Sequence, residues 1–131
     1  MAVTQAQTVD VAQVLSAALA GVDGLRTDWY VSDKSRPPVA VIGLPTIDWQ
    51  DPDSGFCWAT WEYPVTIITA RNNDRDAQTE LSRLVRDAAN ALSGPTPEGV
   101  FDIRLLDARP TTATISGQEL PAYLVRVQVR A

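Results

Sequence analysis

The chain has 131 residues, 45% hydrophobic and 21% charged, with a net charge of −5. That is ordinary globular composition, at a length that suits one domain over residues 1–131, able to bury about two-thirds of its unfolded surface without disulfides or metals. No apolar run nears the ~18 residues of a membrane-spanning helix, residues 1–10 lack the features of a secretory signal, and an acidic chain whose single lysine is Lys34 opposes tight non-specific binding to nucleic acid.

The first expected element is a helix over residues 9–20. Val11, Val14, Leu15, Ala18, Leu19 and Val22 recur at helical spacing, with Thr8 as N-cap and Gly21 and Gly24 as the stop. Residues 25–31 alternate as a half-buried strand, Leu25, Thr27, Trp29 and Val31 on one face. After a polar turn ending in Pro37-Pro38, Val39 to Ile42 forms a second strand, stopped by Gly43 and Pro45, with Ile47 to Gln50 as a short extension. Asp51-Pro52-Asp53-Ser54-Gly55 is a turn. A long third strand covers residues 57–69. It has Ala59, Trp61, Tyr63, Val65 and Ile67 on one face, and Pro64 demands an edge or a bulge.

The second helix covers residues 76–92, where Ala77, Leu81, Leu84, Val85, Ala88 and Leu92 form one apolar stripe and Arg83 and Asp87 stand at i,i+4. Asn73, Asp74 and Asp76 cap it, and Gly94-Pro95 ends it. Residues 100–106 read as a fourth strand, interrupted before a Thr-rich fifth strand over residues 111–116 by Pro110. A turn at Gly117-Gln118-Glu119 then leads into a last strand over residues 122–130, with Tyr123, Val125, Val127 and Val129 inward. The expected fold class is α+β: a two-layer sandwich, two helices on one face of a mostly antiparallel sheet, in the order α-β-β-β-α-β-β-β.

The residues offer no catalytic set, no cofactor motif and no metal-ligand set. Histidine is absent, which excludes Ser-His-Asp and Cys-His catalysis and His-ligated metals. Cys57, the single cysteine, sits between Phe56 and Trp58 and reads as a small core residue. Asp51, Asp53 and Glu62 occupy positions 1, 3 and 12 of a calcium-loop template, but Gly55 and Phe56 fill positions 5 and 6, so a turn is the better reading. A carboxylate pair of Glu62 with Asp48 or Asp51 would need a cleft the sequence cannot show. The surface candidates are more informative. Trp49 and Trp58 flank a turn, on the face opposite Trp61, and with Ile47 and Phe56 they form a candidate protein–protein interface. Arg104, Arg126 and Arg130 complete it as an outward basic band, relieved by Asp102, if their strands are neighbours.

Three stretches carry a family resemblance: residues 37–45 (PPVAVIGLP), residues 61–68 (WEYPVTII) leading into Asp74-Arg75-Asp76-Ala77-Gln78, and the ending from Ala113 to Val127. Together with the order of elements they resemble the tail-terminator family of long-tailed bacteriophages and the related neck and tail-completion proteins. The resemblance implies a structural virion protein of the tail or neck, assembled in the host cytoplasm. It would form a ring, typically a hexamer, that caps the head-proximal end of the tail tube and stops its polymerisation. The implied partners are further copies of itself, the tail tube protein and the head–tail connector or stopper protein. DNA would be only cargo passing through the lumen, and an acidic chain suits such a channel. No enzyme activity, cofactor or membrane partner is implied. Another head–tail connector component, or a small protein-binding module of unrelated role, is the alternative.

Overall fold

The computed structural model describes residues 4–29, 35–49, 59–70, 74–94 and 102–130, with side chains described from residue 11 in the first helix and from residue 75 in the second. The described elements run α1 (Thr4–Leu19), β1 (Arg26–Asp28), β2 (Val39–Ile42), β3 (Thr46–Trp49), β4 (Ala59–Ile68), α2 (Asp74–Leu92), β5 (Asp102–Ile115) and β6 (Gln118–Arg130). The strands make one mixed sheet in the order β1-β2-β4-β6-β5, with β3 also pairing β4. Among the described strands only β1 and β2 pair in parallel.

This corrects the expected order. Among the described residues four strands, not three, precede α2, and two, not three, follow it. Residues 46–49 are a strand in their own right because β4 is long enough to hold two partners along one edge. β2 pairs its Val65–Ile68 half and β3 its Ala59–Glu62 half. The chain steps from one to the other at Gly43, whose N–H donates to the Pro64 carbonyl at 2.8 Å. A Cβ on Gly43 would lie 2.8 Å from Pro64 Cγ, so the step needs glycine. Proline is tolerated in this central strand because its missing amide proton falls at the break between β2 and β3.

The two expected strands around Pro110 are one. β5 pairs continuously with β6 from Asp102↔Arg130 to Ile115↔Gln118, with a bulge between Leu105 and Asp107. An edge strand accommodates Pro110. The hairpin turns at Ser116 and Gly117, with φ of 52° and 77°, one step earlier than expected. At the other end of the chain α1 begins at Thr4, so Thr8 lies inside the helix rather than at its cap. Nothing in Thr4-Gln5-Ala6-Gln7 breaks a helix.

The main core lies between the helices and one sheet face. Val11, Leu15 and Leu19 of α1 and Leu81, Leu84, Ala88 and Leu92 of α2 meet Trp61, Tyr63, Val65 and Ile67 of β4 and Val125, Val127 and Val129 of β6. The i, i+4 spacing of both helices and the period-two alternation of both strands produce this face directly. The other face is not simply solvated, which is a second departure from the expected two-layer sandwich. Val39, Val41 and Ile68 are buried there with Ile115, Leu120 and Ala122, so the end of the β5–β6 hairpin shelters part of that face. Polar ties lock α2 in place. The Thr69 hydroxyl donates to Glu80 Oε1 at 2.6 Å, as does the Ala70 amide at 3.2 Å. Arg83 reaches both the Asp23 carbonyl and Asp87, clamping the turn after α1.

Candidate interaction surfaces

Three surfaces stand out among the described residues. The first is a largely apolar groove of about 350 Å³ where α1 meets the β2–β3 corner. Ala12 and Gln13 of α1, Trp29, Leu44, Pro45 and Tyr63 line it. Leu44 is 91% exposed and Trp29 50%, whereas Tyr63 is 1% exposed. Leu44 stands out because it lies with Gly43 and Pro45 between β2 and β3, outside either strand. Tyr63 is held by the alternation of β4, and among the described residues its hydroxyl has no hydrogen-bond partner. Burial pushes its pKa up to about 12, since ionising it would place a charge in an apolar wall.

The second surface is the aromatic end of β3. Trp49 is 58% exposed and packs edge-on to Trp61, ring centroids 6.2 Å apart. This overturns the expectation that Trp49 faces away from Trp61. The register pairs Ile47 with Trp61 and Trp49 with Ala59, so all four share the helix-side face. A strand read one residue out of step reverses every side chain. Ile47 is half-buried against the core. Phe56 and Trp58 lie outside the described residues, as do Cys57, Asp51 and Asp53.

The third surface is the polar part of the face away from the helices. Arg104, Arg126 and Arg130 do lie on neighbouring strands there. Arg126 and Arg130 are neutralised in place. Arg126 grips Asp107 through two hydrogen bonds of 2.9 and 2.6 Å and approaches Glu62 at 3.6 Å. Arg109 stands 3.4 Å from Asp107, and Arg130 3.8 Å from Asp102. The Arg126 hydrogen bonds, helped by its charge and that of Arg109, hold the Asp107 carboxyl below the usual carboxylate range, and the same contacts raise Arg126. Glu62 is therefore part of an ion-pair network. Asp48 shares its face as a diagonal neighbour across β3 and β4.

Sequence reasoning missed Trp29 and Leu44 as surface features. The signal for Leu44 was present, since a large apolar residue between Gly and Pro in a turn is rarely covered. It also missed Leu106, 37% exposed at the β5 bulge, because a bulge depends on pairing the sequence does not display. Among the described residues no helix is long and apolar enough to cross a membrane, and no cluster of three or more His, Cys, Asp or Glu could hold a metal ion. In comparisons with known proteins, the chain matches no protein-family model and no curated protein.

Proposed function

We propose that this chain is a structural assembly protein of the phage virion, one that forms a ring at the head-proximal end of a tail tube, stops its growth and docks to the head connector. The observation that carries this reading is the distribution of exposed apolar side chains. Trp29, Leu44 and Trp49 lie on the β1–β2–β3 side of the sheet and Leu106 at the opposite edge. Contiguous apolar surface left in water on a folded domain marks places where another protein sits, and Trp29 and Leu44 share the lining of one groove. Different patches at opposite edges suit head-to-tail contacts, the kind that close into rings. The chemistry of the surfaces agrees, since the concentrated set of charges on the far face is, among the described residues, a self-neutralising network rather than a poised acid–base pair. The net charge of −5 suits a lumen through which DNA slides without adhering.

The test is to purify the chain, add it to polymerising tail tube protein and follow both partners by light scattering and electron microscopy. A ring-sized species that ends tube growth supports the proposal. Rings that bind a connector but leave tube growth untouched favour the neck-component alternative. A persistent monomer with a bound small substrate overturns both.

A further inference from the structure

We propose that successive copies join by seating Leu106 of one copy in the groove between Trp29, Leu44 and Tyr63 of the next, a heterologous contact between opposite sheet edges. This deepens the assembly reading above and rests on it. Four observations point to a second copy as the occupant. Leu106 is the bulged residue of β5: Leu105 pairs with Val127 and Asp107 with Arg126, while Leu106 has no register partner, so its exposed side chain comes with a peptide outside the ladder. The groove offers the complement, an apolar hollow of about 350 Å³ lined by Trp29, Leu44 and the buried Tyr63. A leucine side chain fits such a hollow.

Charge agrees as well. The exposed Arg104 and Arg109 flank Leu106 along β5, Arg109 also standing 3.4 Å from Asp107 of its own copy. Asp28 precedes Trp29 in β1, and the exposed Asp48 follows the Leu44 corner in β3. Copies placed side by side with their sheets in line bring these cations to these carboxylates, which offsets the general repulsion between chains of net charge −5. Finally, β5 and β1 are the outer strands of the sheet among the described residues, so the contact can extend along them beyond one leucine. The two patches differ and sit at opposite ends of the strand order, which suits a head-to-tail repeat.

The decisive experiment mixes two surface variants, each with one half of the contact. Leu106→Asp keeps the groove, and Leu44→Asp keeps the bulge. Far-UV circular dichroism and melting midpoints first establish that both fold, with Leu106→Ser as a milder second variant of the bulge. In sedimentation velocity over a concentration series, the unsubstituted chain is expected to associate beyond a dimer, and each variant alone to associate at least about tenfold more weakly. The equimolar mixture of the two Asp variants is expected to give a one-to-one dimer that grows no further. Three results would overturn the proposal: association of either Asp variant as strong as the parent's, a mixture that stays monomeric, or a parent that stays monomeric even with tail tube protein present. A parent that caps tubes although both variants assemble normally removes this contact but leaves the proposed function. Assembly through this contact without tube capping does the reverse.

Discussion

The two faces of the central sheet are built from the same strands yet do different work. On the helix side every inward residue of β4 and β6 from Ala59 to Ile67 and from Val125 to Val129 is buried, and both helices close over them. On the far side the same strands split into a small apolar cluster sheltered by the hairpin end and an open field of Arg, Asp and Glu side chains. Burial of apolar area is worth roughly 25 cal/mol per Å², whereas exposed ion pairs contribute little. Stability is therefore concentrated on one face. Period-two alternation makes this division possible, since a residue on one face can change without disturbing its neighbours on the other.

The largest expected effect breaks the helix side. Leu84 of α2 is fully buried, and Leu84→Ala should cost about 3–5 kcal/mol in urea unfolding, through lost transfer energy and the cavity left behind. The matching change in the far-side cluster should cost less. Leu120, 5% exposed, lies among six buried residues, and Leu120→Ala is expected to cost about 2–3 kcal/mol. Equal losses would mean that the hairpin end belongs to the main core. The step between β2 and β3 comes third. Gly43→Ala should cost about 1–3 kcal/mol, because a Cβ meets the rigid Pro64 ring at 2.8 Å. Adding Pro64→Ala should recover part of that loss, and a strictly additive double variant would show that the two residues do not share the space.

These same places mark where the sequence was readable. The stripe Ala77-Leu81-Leu84-Ala88-Leu92 and the alternation of Val125, Val127 and Val129 state their burial outright, because one period accounts for every residue. Gly43-Leu44-Pro45 reads locally as a stop. That the chain resumes as β3 depends on the unused half of the β4 edge, a tertiary fact. Pro110 likewise reads as an interruption until β5 is known to be an edge strand. Trp49 was assigned to the wrong face for want of a register, and the basic band lacked Asp107 and Glu62 because cross-strand partners are invisible without pairing. Two of the interface candidates, Phe56 and Trp58, fall outside the described residues. Local period was legible, and edge occupancy was not.

The smallest expected effect sharpens the contrast between the faces. Asp107 is acidified by its hydrogen bonds from Arg126, then by the charges of Arg126 and Arg109. Its folded pKa lies below its unfolded one, so between the two the unfolded chain holds more protons and stability rises with pH. The contribution is complete above the ordinary carboxylate range, near pH 4, and disappears as pH falls through the folded value. Asp107→Asn should therefore lower the urea midpoint slightly at pH 7, and less in high salt, because the pair is open to solvent. Once pH falls below the folded value, the variant and parent should unfold together, since both then carry a neutral side chain. A difference that persists unchanged from pH 7 to below that value would mean that Asp107 acts through packing, and the two faces would then differ less in kind than their side chains suggest.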